Sequence, residues 1–202
     1  MFDAAVRPLI DPPLARLADR LIAAGFSANA VTLIGFAVGM LAVPALAAGW
    51  YLIALLLILL NRVADGIDGA IARRQGPTEL GGYLDILCDF IFYAAVPLGF
   101  ALARPDNGAA AAFLIFSFVG TGSSFLAYAA IASKRGLESA RHGPKSIFYL
   151  GGLTEGTETI LCFVAMCLFP VSFPTLAYLF GALCWITTAF RALTTWRLLT
   201  RG

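Results

Sequence analysis

Histidine is almost absent from this 202-residue chain, where His142 is the single example. Four cysteines occur, Cys88, Cys162, Cys167 and Cys184, and no two form a C-x-x-C pair. No zinc centre is indicated, and thiols scattered through apolar runs read as buried free cysteines, not as a disulfide framework. Charge is scarce as well: 13% of residues are charged against 60% hydrophobic, and the net charge is +2. Nothing supports a nucleic-acid partner, which would call for a concentrated basic surface. A cleavable leader is also missing. Asp3, Arg7, Asp11, Pro12, Pro13, Arg16, Asp19 and Arg20 interrupt the first 25 residues, leave no continuous apolar stretch there, and predict that the mature chain keeps this segment.

What the chain does have is long apolar runs. With a mean hydropathy of +0.85 it is too apolar for a soluble domain and long enough for several membrane crossings. Leu14, Leu17, Ala18, Leu21 and Ile22 recur at helical spacing with Arg16, Asp19 and Arg20 opposite, which predicts a short amphipathic helix on the membrane surface after Pro12-Pro13. Ser27-Ala28-Asn29 offers a helix cap, and apolar segments follow over residues 30–48, 50–72, 81–103, 109–133, 146–171 and 174–199. The expected fold is therefore all-α: an amphipathic juxtamembrane segment, 1–28, followed by a six-helix membrane domain, 29–202.

The basic residues orient this arrangement. With the N-terminus in the cytoplasm, Arg7, Arg16, Arg20, Arg73, Arg74, Lys134, Arg135, Arg141, Lys145, Arg197 and Arg201 all fall on the inner side, and Arg104 alone falls outside. Both termini are then cytoplasmic, as is the turn near Pro77.

Four carboxylates interrupt the second and third apolar segments. Asp65 and Asp68 stand three apart, and Asp85 and Asp89 four apart, so each pair shares one helical face. Between them, Arg73-Arg74-Gln75-Gly76-Pro77-Thr78 is polar and helix-breaking, and predicts a reversal. Counted from Pro77 the two pairs lie at matching depth, with Asp65 roughly 12 Å deeper than Arg73. Four like charges so placed repel unless protonated or bound to a cation, and a hard all-oxygen set suits Mg²⁺ or Mn²⁺. Arg62 could pair with one of the aspartates but cannot neutralise four. Ionisable groups at this depth are costly and mark function.

These residues resemble the signature of the CDP-alcohol phosphotransferases, D-x2-D-G-x2-A-R, a spacer of seven to nine residues, then G-x3-D-x3-D. Asp65, Asp68, Gly69, Ala72, Arg73, Gly81, Asp85 and Asp89 meet every fixed position. The resemblance implies a divalent-metal-dependent transferase, a homodimer by family habit. It would pass a phosphatidyl group from CDP-diacylglycerol to the hydroxyl of a small polar alcohol and release CMP. It implies Asp65, Asp68 and Asp85 as metal ligands, with Asp89 a ligand of a second ion and also the base that takes the hydroxyl proton. Gly69, Ala72, Arg73 and Gly81 would then accommodate the donor, with Thr78 and Asn29 as further contacts. For Gly66 and Gly82, close helix packing is an equal reading.

For the acceptor, Arg62, Lys134, Arg135, Arg141 and Lys145 are candidates to hold a phosphate. Glu155 and Glu158 either contact acceptor hydroxyls or an ammonium group, or pair with Arg191. The segment 145–159 resembles a short bacterial inner-membrane branch of the family. The basic loop leans the acceptor toward a phosphorylated polyol such as glycerol 3-phosphate; an uncharged or amino alcohol of the inositol, serine or choline type is the alternative. Two other classes fit less well. An intramembrane prenyltransferase would carry its second motif much farther along the chain, and a cation transporter would give the glycines and Arg73 no role.

Overall fold

The computed structural model describes residues 3–134 and 154–200. Every regular element among the described residues is helical, as the sequence predicts for a membrane protein. In chain order these are α1 (Asp3–Ala23), α2 (Ala28–Met40), α3 (Ala42–Ala47), α4 (Tyr51–Gln75), α5 (Glu79–Ala103), α6 (Gly108–Lys134), α7 (Gly156–Leu168) and α8 (Phe173–Thr200). Single 3-10 turns, Pro105–Asn107 and Pro170–Ser172, precede α6 and α8.

Among the described residues, four helical stretches are long and apolar enough to cross a membrane: Ala28–Ala47, Glu79–Ala103, Pro105–Lys134 and Pro170–Thr200. The expected count of six differs for physical reasons. Helix α4 has the length, 25 residues, but its C-terminal half holds Arg62, Asp65, Asp68, Arg73 and Arg74. Helix α7 is apolar but only 13 residues long, and the first part of the predicted fifth segment, 146–153, lies outside the described residues. The first segment is also broken, because α2 ends at Met40 and α3 starts at Ala42.

At the N-terminus the expected amphipathic helix is present but starts earlier than the sequence predicts. Helix α1 begins at Asp3 and runs through Pro12 and Pro13. Its apolar stripe lies against protein: Leu14, Ala18, Leu21 and Ile22 pack with Val31 of α2 and Ile67, Ala70 and Ile71 of α4. Asp19 makes an ion pair with Arg74 at 2.6 Å. Gly25, with φ +84°, ends α1 in the left-handed region where a side chain would be strained. Ser27 then caps α2 by accepting from the Ala30 N–H at 3.3 Å.

The two halves of the molecule are held differently. Away from the carboxylates, aromatic rings fill the space between α4, α5 and the start of α8: Phe100 stacks on Phe173 at 4.5 Å between centroids and on Tyr51 at 5.8 Å. Phe92, Phe118, Phe163 and Phe180 continue that core toward the middle. Nearer the carboxylates the helices meet through small residues. A Cβ on Gly35 would lie 2.5 Å from Ala64 Cβ, and one on Gly39 2.8 Å from the Asn61 side chain. Gly35 and Gly39 stand four apart, the spacing that lets two helix backbones approach closely. The Asn61 amide donates to the Gly35 carbonyl at 2.9 Å, which fixes the register of α2 on α4.

Candidate active site

The reversal predicted near Pro77 is present. Helix α4 stops at Gln75, Gly76 takes φ +93°, and Thr78 caps α5 by accepting from the Gly81 N–H at 3.0 Å. The hairpin sets the two carboxylate pairs face to face. Asp65, Asp68 and Asp85 each offer an oxygen such that all three lie within 4.8 Å of one another. That spacing and the all-oxygen donor set fit a hard divalent cation at about 2.0–2.6 Å from each oxygen. The three differ in access, with Asp68 buried, Asp65 half-buried and Asp85 exposed. The cluster therefore opens to the outside on the α5 side.

Asp89 stands apart from this triad. Its Oδ1 accepts from Arg62 Nη2 at 2.8 Å, and Arg62 Nη1 lies 3.6 Å from Asp65 Oδ2. Arg62, expected to pair with one aspartate, thus lies against two, with Asp89 as its closest partner. Arg62 also donates through Nε to Asn61 Oδ1 at 2.8 Å and through Nη1 to the Tyr93 hydroxyl at 3.2 Å. A cleft of about 230 Å³, counted out to open solvent, is lined by these carboxylates with Thr32, Gly35, Phe36, Asn61, Arg62 and Cys88.

Thr32 belongs to this site and the sequence reading missed it. Its hydroxyl donates to Asp68 Oδ2 at 2.6 Å across 36 positions of chain. The only local signal was its place two turns before Gly39 on the small-residue face of α2, and nothing in that spacing specifies a carboxylate partner. Asn61 and Tyr93, which hold Arg62, were missed for the same reason.

The predicted donor residues gather at the cytoplasm-facing end expected for the hairpin. A Cβ on Gly81 would lie 3.0 Å from Thr78 Oγ1 and 3.1 Å from Asn29 Oδ1, so these three form one small recess. A Cβ on Gly69 would reach Arg73 Nη1 at 3.4 Å, which puts Gly69 beside Arg73; Ala72 is half-buried on the same helix. The two undecided glycines separate. Leu14 of α1 packs over Gly66, 2.6 Å from where a Cβ would be, whereas Gly82 has nothing within 4 Å.

Of the acceptor candidates, Lys134 is exposed in the last turn of α6. Arg135, Arg141 and Lys145 lie outside the described residues. Glu155 and Glu158 form a capping box at the start of α7, each side chain accepting from the other's backbone N–H, the Glu155 N–H to Glu158 Oε2 distance being 3.2 Å. Arg191 donates to the Thr121 carbonyl of α6 at 3.2 Å, with its guanidinium 5.9 Å from the Phe125 ring. Gly156, beside that box, lies against the Tyr93 hydroxyl, with a 3.7 Å approach for an added Cβ. Tyr93 thus links the start of α7 to Arg62.

Helical membrane packing around a carboxylate triad on a hairpin defines a membrane-embedded protein with a site suited to a hard cation. The chain belongs to the CDP-alcohol phosphatidyltransferase family, whose profile matches residues 26–194. It is 55% identical over 192 residues to inner membrane protein YnjF of Escherichia coli (strain K12), covering 95% of this chain and 93% of that one. It is 32% identical over 98 residues to the archaetidylinositol phosphate synthase of Pyrococcus horikoshii, spanning 48% of this chain and 52% of that relative. Among solved structures it resembles Mycobacterium tuberculosis phosphatidylinositol phosphate synthase (PgsA1) with CDP-DAG bound. The TM-score is 0.67 at 21% identity over 91% of this chain and 93% of that one. The same protein in complex with manganese and citrate gives a TM-score of 0.65 at 22% identity, over 91% and 88%. The chain is accordingly a divalent-metal-dependent CDP-alcohol phosphatidyltransferase of the membrane, and the transporter and prenyltransferase readings are set aside.

Proposed function

We propose that this enzyme transfers the phosphatidyl group of CDP-diacylglycerol to a hydroxyl of a phosphorylated polyol, at the inner face of a bacterial inner membrane. The observation that carries the reading is the approach of Asp65, Asp68 and Asp85 to one point beside Asp89. The three would hold Mg²⁺ or Mn²⁺. Bound there, the cation neutralises the donor pyrophosphate and makes its phosphorus easier to attack. The recess of Asn29, Thr78 and Gly81, with Gly69, Ala72 and Arg73, receives the cytidine diphosphate part.

Asp89 accepts the hydroxyl proton as the acceptor oxygen bonds to phosphorus, and the bond from phosphorus to the CMP oxygen breaks. Arg62 holds that carboxylate in the cleft. The names of the archaeal and mycobacterial relatives favour inositol phosphate among phosphorylated polyols; glycerol 3-phosphate, favoured by the basic loop, is the second candidate. Lys134 and Arg191, with Arg135, Arg141 and Lys145 of the adjoining sequence, supply the cations for such an acceptor, and the Glu155–Glu158 box positions the start of α7 near it. Both termini lie in the cytoplasm, and the enzyme acts as a homodimer.

The test is CMP release by purified protein in detergent with CDP-diacylglycerol and Mg²⁺ or Mn²⁺, offering inositol phosphate, glycerol 3-phosphate, inositol, serine or choline in turn. Release that depends on a phosphorylated polyol, stops on chelation and is lost in Asp89→Asn supports the reading. Release with serine or choline alone would reassign the acceptor class.

A further inference from the structure

Tyr93 stands one helical turn beyond Asp89 on α5, on the same face, and its ring is wedged among three others. Phe92 of α5, Phe118 of α6 and Phe163 of α7 lie at ring-centre distances of 6.0, 6.3 and 6.2 Å. A phenylalanine here would keep all of those contacts. What tyrosine adds is the hydroxyl, whose oxygen accepts from Arg62 Nη1 at 3.2 Å.

Arg62 lies between two aspartates, and the placement of Nη1 decides which one it serves. Nη2 donates to Asp89 Oδ1 at 2.8 Å, whereas Nη1 is 3.6 Å from Asp65 Oδ2, too long for a hydrogen bond. Nε and Nη2 also share Asn61 Oδ1, and the Asn61 amide is anchored to the Gly35 carbonyl on α2. That edge of the guanidinium is fixed, so the choice open to Nη1 is between Tyr93 and Asp65. The side chain is only 15% exposed, and a buried donor that loses its partner is costly unless it finds another. Without the Tyr93 hydroxyl the nearest acceptor is Asp65 Oδ2.

We propose that Tyr93 is a positioning residue that holds Arg62 on Asp89 and keeps it off Asp65. A guanidinium bonded to Asp65 would occupy an oxygen the divalent cation needs and set a positive charge against that ion. The Tyr93 hydroxyl thus protects the metal site without belonging to it, from one turn deeper in α5. This rests on the metal-site reading above and adds the residue that keeps Asp65 available.

The experiment is Mn²⁺ titration of the purified full chain in detergent, following the free-ion paramagnetic resonance signal. Tyr93→Phe is expected to need about tenfold more free Mn²⁺ for half-uptake than the wild type, at an unchanged melting temperature. In an Arg62→Gln background, where no guanidinium can turn onto Asp65, the same change is expected to shift half-uptake by less than about twofold. Where Arg62→Gln does not fold, Tyr93→Phe alone decides. Half-uptake in Tyr93→Phe equal to wild type, an equal loss in both backgrounds, or a loss that comes with a lower melting temperature would each overturn the proposal and leave the metal site standing. No uptake by the wild type would remove the metal site itself and this proposal with it.

Discussion

Thr32 shows how much of the site rests on single contacts outside the acidic motif. Its 2.6 Å hydrogen bond orients Asp68, the most buried member of the triad, and residues that orient a metal ligand tune affinity strongly. Thr32→Val, nearly the same shape without the donor, is expected to weaken Mn²⁺ binding by about tenfold or more, while Thr32→Ser retains most of it. Equal affinities for the two variants in a Mn²⁺ titration would count against the orienting role. The glycines divide at the same scale. Gly82→Ala meets open space and should leave thermal stability unchanged or slightly raised, since alanine favours helix by about 1 kcal/mol over glycine. That Asp65, Asp68, Asp85 and Asp89 belong together was legible from spacing alone, because helical periodicity fixes which side chains share a face. Their division into a triad and an Arg62-bound fourth member was not, because it depends on which rotamers α2 and α5 permit.

The contact between α2 and α4 is the element on which this geometry depends. Gly35 meets Ala64 with no room for a methyl group, and α2 carries Thr32 while α4 carries Asp65 and Asp68. Gly35→Ala is expected to push the helices apart, at a cost of about 1–3 kcal/mol, seen as a lower melting temperature in detergent. Metal affinity should fall alongside, because Thr32 moves with α2. A melting point equal to wild type would mean the helices accommodate the methyl group and that the packing is looser than these distances imply. The ion pair between Asp19 and Arg74 is a contrast. Both side chains are substantially exposed, 60% and 35%, and such pairs contribute about 0–1 kcal/mol. Arg74→Gln should therefore change stability by less than about 1 kcal/mol, with α1 still held through Leu14, Ala18, Leu21 and Ile22. Loss of α1 docking, followed by protease sensitivity of the first residues, would show that the pair matters more than its exposure suggests.

For the molecule as a whole, orientation follows from charge and is open to direct labelling. The distribution of arginine and lysine predicts the Gly76-Pro77 turn inside and the Arg104-Pro105-Asp106 turn outside. A cysteine placed by Pro77→Cys is expected to react with a membrane-impermeant maleimide only in inside-out vesicles, and one placed by Asp106→Cys only in intact spheroplasts. Both are placed in a Cys88→Ala background, which serves as the blank, because Cys88 lines the carboxylate cleft whereas Cys162, Cys167 and Cys184 sit among apolar neighbours. The reverse pattern would turn the active site to the outer face and remove the cytoplasmic donor pool from the mechanism.

By itself the sequence determined the fold class, the hairpin and the chemical character of its four carboxylates. Apolar length, helical period and the breaking residues 76–78 act locally, and local rules suffice for them. It also carried the family signature, because those positions lie within 25 consecutive residues. Only the tertiary structure decided that the stripe of α1 packs on α2 and α4, since an amphipathic stripe buries itself equally well in lipid or in protein. Only the tertiary structure, too, brought Thr32, Asn61 and Tyr93 to the carboxylates and closed the start of α7 with Glu155 and Glu158. Those contacts join residues on different helices or depend on how a helix begins, and their partners are set by close approach at Gly35 and Gly39 and by burial, neither of which spacing along the chain encodes.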